Sequence, residues 1–295
     1  MRSFSYYLAK AFYASPEDLS ARVFELRPLR NKTVAVFGLG CLGAASALEL
    51  ARAGLGRIRL VDYDIVDPAT AVRWPVGFAA AGQKKVHELH ELIRQNYLYT
   101  QAEPFDFRVG AVRDASSGRS SDQSLIQDIT DAVDLIYDAT VEPGVQHFLT
   151  DYAWIHKIPY IGLSATLGGW GGKVFRVRPQ TEAGCWFCYR LWCDDHSIPE
   201  PPSAPEGQGT VQPTGCADPT FTGAGFDILQ VALMGVRMAV STLCEGTSQS
   251  YPFASWDVVH IRLRGDDGAL VPPRYDTYNI TPHPLCPRRS HAGPQ

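Results

Sequence analysis

The stretch Lys32–Lys85 constrains the fold of this chain more than any other. It opens with an apolar run of strand composition, Thr33–Phe37, and continues into a segment with apolar residues at helical spacing, Leu42–Ala53. A second apolar strand, Ile58–Val61, then ends on Asp62. Three glycines lie between the first strand and the body of the helix: Gly38, Gly40 and Gly43.

A strand, a glycine turn, a helix, a strand and an acid within about 30 residues are typical of a nucleotide-binding unit. The first glycine permits a tight turn, the second lets a phosphate approach bare backbone, and the third lets helix and strand pack closely. The helix N-terminus offers N–H groups to an anion, and Asp62 can accept hydrogen bonds from ribose hydroxyls. The alternative is a structural βαβ unit without a ligand.

Composition excludes several classes of function. The 295 residues allow one large or two small domains, and the 45% hydrophobic content suits a buried core. A net charge of −4 gives no electrostatic case for binding nucleic acid or a membrane surface. We find no apolar run of about 18 residues and no signal peptide, so we expect no membrane span. Seven cysteines, two of them as C-x-x-C, favour metal or catalytic thiols in the cytoplasm.

Alternating apolar segments predict an α/β fold with a Rossmann-like, doubly wound, mostly parallel sheet. Residues 1–30 are predicted to form a helical lead-in that begins after Ser15, and residues 31–295 one domain. Ligands of such sheets bind at the carboxyl ends of the strands. The other predicted strands are Phe105–Val112, Asp134–Asp138, Ile158–Ser164, Lys173–Val177 and Ser255–Arg264, the last suited to a sheet edge or a half-exposed sheet, and the later helices are Val145–His156 and Gly225–Cys244.

Two short motifs, each with two potential metal ligands, predict a metal site. We call these motifs clips: the first is C-x-x-C, and the second, about 100 residues later, is H-x-x-C. Each clip has two residues between its ligands, a spacing that suits tetrahedral zinc. The alternative is that the cysteines are buried thiols and the histidine is a loop residue. Cys193 and His291 are spare candidates for the fourth ligand. The predicted ligands are Cys185, Cys188, His283 and Cys286.

Cys216 lies on a loop rich in proline and glycine, upstream of the long apolar helix. A cysteine near a helix N-terminus can have a lowered pKa and act as a nucleophile. The alternative is an inert loop thiol. Lys85 lies at the start of a helix soon after the glycine motif, where a lysine side chain can contact a triphosphate. The alternative is an ordinary surface lysine.

Taken together, these motifs resemble the ThiF/MoeB type of ubiquitin-activating enzyme, over about residues 31–290. The resemblance rests on the GLGCLG turn, the LVDYDIV strand end, Gly82-Gln-Lys-Lys85, the two clips and Gly215-Cys216-Ala. It implies ATP-dependent adenylation of the C-terminal glycine of a ubiquitin-like or sulfur-carrier protein, followed by thioester transfer to Cys216. It also implies ATP, Mg²⁺ and Zn²⁺ as cofactors, a homodimer, and a conjugating enzyme as a further partner.

The resemblance assigns a role to each candidate residue. Asp62 and Asp64 would hold the ribose end of the nucleotide, Arg73 its phosphates, and Lys85 would be the catalytic lysine. The branch it suggests is bacterial, found beside ubiquitin-like partners in antiviral defence operons.

Two departures from the family pattern affect the expected Mg²⁺ site. Thr70 replaces an asparagine, and Val141 replaces the aspartate expected to hold the metal. Asp138 and Glu142 are near enough in sequence to substitute. Two alternatives therefore stay open: a catalytically weakened nucleotide-binding scaffold of the same family, and an NAD(P)-dependent dehydrogenase built on the same βαβ unit.

Overall fold

The computed structural model describes residues 7, 9–110, 122–179, 183–212 and 220–288 of the chain. The helices are α1 (Pro16–Ser20), α2 (Cys41–Arg52), α3 (Lys85–Asn96), α4 (Asp122–Thr130), α5 (Pro143–His156), α6 (Trp186–Asp194) and α7 (Gly225–Leu243). The strands are β1 (Thr33–Phe37), β2 (Arg57–Asp62), β3 (Gln101–Asp106), β4 (Leu135–Asp138), β5 (Tyr160–Ala165), β6 (Gly171–Val177), β7 (Thr210–Val211), β8 (Thr220–Phe221), β9 (Val258–Arg264) and β10 (Leu270–Tyr278).

Eight strands form one sheet in the order β10-β9-β6-β5-β4-β1-β2-β3. The pairs among β3, β2, β1, β4 and β5 are parallel, and β6, β9 and β10 continue the sheet with antiparallel pairs. The chain leaves β1 on one side for β2 and later returns on the other side as β4. This reversal opens a crevice at the carboxyl ends of the strands, where ligands of such sheets bind. The predicted Rossmann-like, mostly parallel fold is confirmed.

Helices cover both faces of the sheet because the central strands are apolar on both sides. One buried cluster joins β1 and β4 to α2, α3 and α7. A second cluster joins the opposite face to α4, α5 and α6. In the described part of the chain, α7 is long and apolar enough to cross a membrane, but 67% of its apolar window is buried. It packs against α2, β5 and β6, as a core helix does.

Several predicted elements differ from the structure, at both edges of the sheet and outside it. The strand expected at Phe105–Val112 begins earlier, at Gln101, and ends at Asp106. The strand β9, predicted for a sheet edge or a half-exposed sheet, lies inside the sheet because β10, which the sequence analysis missed, pairs beside it. Helix α6 and the β7–β8 hairpin were missed as well. In the N-terminal segment, Ser15 caps α1 with a capping box, and a 3-10 helix, Phe24–Asn31, follows before β1.

Candidate nucleotide crevice and sulfur cluster

The glycine turn is shaped by close backbone contacts. Gly38 adopts φ +81°, and a Cβ there would lie 2.8 Å from the backbone of Thr140 at the end of β4. A Cβ on Gly43 would lie 1.8 Å from the carbonyl oxygen of Gly38. A Cβ on Gly40 would meet nothing within 4 Å, so the turn is open on that side. Gly40 is also the N-cap of α2, so its open side faces the helix end that attracts anions.

Asp62 connects the turn to the end of β2. The residue is only 8% exposed, and its carboxylate accepts the N–H of Leu39 at 2.6 Å and that of Asp64 at 2.8 Å. Trp74 holds the same turn from the other side, donating its indole N–H to the carbonyl of Leu39 at 2.8 Å. The carboxylate oxygens of Asp62 each keep acceptor capacity, because each has two lone pairs.

Lys85 is buried at the first position of α3, with its side chain 11% exposed. Its ammonium group lies 2.6 Å from the carboxylate of Asp64, which is half exposed. The neighbouring Lys84 points elsewhere, to the carbonyl of Tyr63 and the carboxylate of Asp106. The two lysines are therefore distinct: one is an enclosed cation beside the crevice and the other lies in a surface ion pair.

Arg73 reaches the same region from the segment after β2. Its guanidinium donates to the carbonyl of Phe221 at 2.8 Å and to the hydroxyl of Thr220 at 3.2 Å. Burial raises the pKa of the Cys41 thiol in the glycine turn, while the charges of Arg73 and Lys85 act to lower it. Both cations therefore lie near the turn.

Asp138 ends β4 next to the crevice, but its carboxylate is fully buried and hydrogen-bonded on both oxygens. Oδ1 accepts the N–H and the hydroxyl of Thr140, and Oδ2 accepts the hydroxyl of Tyr160 at 2.7 Å. Burial raises the pKa of this carboxyl group. Asp138 therefore fixes the turn after β4, and this geometry does not fit its suggested role as a substitute Mg²⁺ ligand.

Val141 occupies an unusual backbone conformation in that turn. Its φ is +63°, in the left-handed region that β-branched residues rarely adopt, and it is 39% exposed. Glu142, the N-cap of α5, is exposed and acts electrostatically on Tyr63 and Asp138. The turn therefore offers one free carboxylate, from Glu142, and an apolar side chain where the family pattern places the metal-binding acid. The residues present do not form the expected Mg²⁺ site.

Three cysteine sulfurs meet on the other face of the sheet, at α6 and the segment after β10. Cys185 Sγ lies 3.8 Å from Cys188 Sγ and 3.5 Å from Cys286 Sγ, and all three residues are buried. Ligands at about 2.3 Å in a tetrahedron are separated by about 3.8 Å, so these spacings fit zinc. Hydrogen bonding from Cys185 lowers the pKa of Cys188 to about 5.

The fourth predicted ligand, His283, adjoins this cluster without facing it. Its backbone N–H lies 3.2 Å from Cys188 Sγ, but in the described part of the chain the three-sulfur group does not include its ring nitrogens. Cys193 is buried and also lies outside the group. Cys216 and His291 fall outside the described residues. The structure therefore joins three of the four predicted ligands and turns the ring of His283 away.

Sequence reasoning missed the residues that brace the crevice, chiefly Trp74 and Tyr160. Each is an aromatic residue whose polar atom bonds to the turn of another segment. A tryptophan one position after the predicted phosphate-binding Arg73 is the signal that could have identified the first. For Tyr160 nothing in its apolar strand indicates a partner in β4.

Comparison with known proteins identifies the family to which the chain belongs. A family model described as "ThiF family" matches residues 18–245. The chain belongs to the ThiF family. This excludes the dehydrogenase alternative.

The chain is similar to two curated proteins in sequence and to one solved structure in fold. The uncharacterized protein y4qC of Sinorhizobium fredii is 31% identical over 280 residues, 92% of this chain and 46% of that protein. The sulfur carrier protein ThiS adenylyltransferase of Escherichia coli is 28% identical over 167 residues, 57% of this chain and 61% of that protein. The structure of E. coli MccB with ATP aligns with a TM-score of 0.63 at 15% identity, covering 92% of this chain and 70% of that one. The chain spans about half the length of y4qC.

Proposed function

We propose that this chain transfers AMP from ATP to the C-terminal carboxylate of a ubiquitin-like protein, a sulfur-carrier protein or a peptide. The observation that carries the proposal is the convergence of an open glycine turn, a buried acid and two cations at one crevice. The similarity to an adenylyltransferase, the enzyme that acts on ThiS, and to the ATP-bound structure of MccB supports the same reaction class.

In the proposed reaction, ATP lies across the carboxyl ends of the strands with its phosphates at Gly40 and its ribose at Asp62. A substrate carboxylate oxygen forms a bond to the α-phosphorus, and the bond to the pyrophosphate oxygen breaks. Two anions approach each other in this step, so neutralisation of charge governs its rate. Lys85 and Arg73 supply positive charge once the phosphates displace Asp64 and the carbonyl of Phe221 from them. No step is assigned to Mg²⁺.

The second half-reaction is thioester formation on Cys216. The thiolate would form a bond to the acyl carbon of the adenylate and release AMP, with the thiol proton lost to solvent. We further propose a homodimer as the active unit, a conjugating enzyme as a downstream partner and the cytoplasm as the compartment. Antiviral defence is the proposed setting. These parts depend on the family resemblance and on Cys216.

One observation favours a second candidate function, that of a nucleotide-binding scaffold. Val141 places no carboxylate where the family pattern has one, and Asp138 is fully engaged within the protein. Such a chain would bind ATP without releasing pyrophosphate.

An ATP–pyrophosphate exchange assay with a ubiquitin-like protein that ends in glycine separates the two candidates. We expect exchange in the wild type and a loss of about 10²–10³-fold in Lys85→Ala, because one charge-stabilising donor is worth that much. Lys84→Ala is the matched control, and we expect its rate to stay within about threefold, because Lys84 pairs with Asp106 at the surface. Intact ATP binding with no exchange in the wild type would leave the scaffold as the function.

A further inference from the structure

Arg73 contacts a part of the chain that is far from it in sequence, the β7–β8 hairpin. Its Nη1 donates to the carbonyl of Phe221 at 2.8 Å, and its Nη2 donates to the hydroxyl of Thr220 at 3.2 Å. The guanidinium also lies over the ring of Phe221, with Cζ 4.8 Å from the ring centroid. The hairpin therefore engages both terminal nitrogens and one face of the side chain to which the proposed function assigns the phosphates.

The hairpin is a small unit that depends on contacts with the rest of the fold. Each of its strands has two residues, and β7 is exposed while β8 is half-buried. A two-stranded hairpin on its own is marginally stable at best in water. The carbonyl of Gly209, just before β7, accepts the N–H of Gly168 at 3.3 Å and that of Thr222 at 2.7 Å. The two hydrogen bonds from Arg73 add a second attachment, on the side of the crevice.

A phosphate group competes with the hairpin for this arginine. A guanidinium binds phosphate best through two parallel N–H groups, in a fixed fork geometry. Here the fork formed by Nη1 and Nη2 is directed at the hairpin. The charge of Arg73 also acts on Cys41 in the glycine turn, so the arginine lies between the hairpin and the side of the crevice that attracts anions.

We propose that this contact, which we call the Arg73 latch, couples nucleotide binding to the β7–β8 hairpin. With the crevice empty, the arginine holds the hairpin. When ATP binds, its phosphates take the arginine and the hairpin is released. The two states compete, so each contact with the hairpin lowers the apparent affinity for ATP. The latch rests on the proposed function, because it requires the phosphates of ATP at the glycine turn.

The latch has a consequence for the second half-reaction. In sequence, Cys216 lies between β7 and β8. The strands that flank the proposed acyl acceptor are therefore held at the crevice while it is empty and freed once a nucleotide occupies it.

Calorimetric titration with ATP, in the absence of a protein substrate, tests the latch. Thr220→Val removes one acceptor for Arg73 at nearly constant volume, so we expect ATP to bind about three- to tenfold more tightly than to the wild type. Thr210→Val is the matched control, the same substitution at an exposed position of the paired strand, and its affinity should stay within about twofold. Arg73→Ala should bind ATP at least about tenfold more weakly, because it removes the phosphate contact as well.

Hydrogen–deuterium exchange of the hairpin amides gives an independent readout. A bound ligand ordinarily slows exchange near its site, whereas release of the hairpin speeds it. We expect ATP to accelerate exchange at residues 220–222 of the wild type. In Arg73→Ala, exchange at these residues should be fast with and without ATP.

Unchanged or weaker ATP binding in Thr220→Val would overturn the latch, and so would slower exchange of the hairpin amides on adding ATP to the wild type. Pyrophosphate exchange separates this failure from that of the proposed function. The expected ATP responses without pyrophosphate exchange would keep the latch and overturn the adenylation. Pyrophosphate exchange with equal ATP affinity in Thr220→Val and Thr210→Val would do the reverse. A wild type that does not bind ATP would overturn both.

Discussion

The nucleotide crevice and the sulfur cluster lie on the same sheet but are built in opposite ways. In the crevice, the residues shaping the turn come mainly from the first two strands, and most contacts involve backbone atoms. At the sulfur cluster, side chains from two segments about 100 residues apart meet in a buried group. The crevice is a shaped, partly open surface whose two cations, Lys85 and Arg73, already have partners within the protein. The cluster is a set of ligands already at metal-binding distances.

This difference indicates what each region contributes to the fold. The crevice packs without a ligand, because Asp62 and Trp74 satisfy the turn internally. Hydrogen bonds such as that from Trp192 to the carbonyl of Thr281 hold the segment after β10 against α6, and the three thiols add only weak sulfur contacts. A metal bound at the cluster would therefore stabilise the fold, whereas a nucleotide bound in the crevice would serve as a reactant. Substitutions in each region should separate the two effects.

The largest effect is expected at the sulfur cluster. Cys188→Ser removes one of three assembled ligands, so we expect the zinc content of the purified protein to fall from one equivalent towards none. The loss of stability should be about 4 kcal/mol where free zinc exceeds its dissociation constant a thousandfold in the wild type. Metal analysis and chemical denaturation measure the two quantities.

Cys193→Ser is the control for this change, because Cys193 is buried on the same helix but lies outside the sulfur group. It should retain a full equivalent of zinc. Full zinc content in Cys188→Ser would show that the cluster is not the metal site. A chelator should destabilise the wild type and leave the stability of Cys188→Ser unchanged.

The next effect is expected in the glycine turn, where two glycines should respond oppositely. Gly43→Ala forces a methyl group to 1.8 Å from the carbonyl of Gly38, and we expect it to cost about 3–5 kcal/mol of stability. Gly40→Ala meets no atom within 4 Å, so we expect it to cost only about 1 kcal/mol, for the loss of a glycine N-cap.

Gly40→Ala, the variant that should keep most of its stability, should instead lose affinity for ATP. Gly40→Ala places a methyl group on the open side of the turn, so we expect ATP to bind at least about tenfold more weakly, as titration calorimetry would show. Unchanged ATP affinity in Gly40→Ala would place the phosphates elsewhere. Equal stability of the two variants would contradict the packing of the turn.

The same contrast explains how much the sequence could predict. The βαβ unit was predictable to within about two residues, because its periodicity and glycine spacing are local. The structure shows a steric reason for the glycines at positions 38 and 43, where a Cβ would meet backbone atoms. The cysteine clips were recognisable as pairs by spacing. That the two pairs lie side by side in the fold depends on the path of the roughly 100 residues between them, which the spacing within each pair does not reveal.

What the sequence could not predict depends on contacts between distant segments. The edge strand β10 contains Pro272 and Pro273, and its apolar and polar residues alternate irregularly, so the sequence did not reveal it as a strand. Asp138 resembled a free acid because its partners, Tyr160 above all, belong to another strand. The ring of His283 is directed by Asp195, a partner 88 residues away.

The smallest change in stability is expected at Val141, in the turn after β4. Replacing this residue tests backbone strain and metal binding separately. A valine at φ +63° is strained, whereas asparagine and aspartate tolerate this region. We therefore expect Val141→Asn and Val141→Asp each to stabilise the protein by about 1 kcal/mol in chemical denaturation. Unchanged stability in both variants would show that the backbone is not strained at this position.

The two variants differ in charge alone, which isolates the question of the metal. Val141→Asp places a carboxylate beside Glu142 at the mouth of the crevice, and Mg²⁺ prefers such oxygen ligands. We expect Val141→Asp, but not Val141→Asn, to bind ATP more tightly in Mg²⁺ than in its absence, relative to the wild type. Equal Mg²⁺ dependence in the two variants would show that position 141 does not face the metal. In that case the exposed carboxylate of Glu142 would be the group to change next, because Asp138 is fully buried and both of its oxygens are already hydrogen-bonded within the protein.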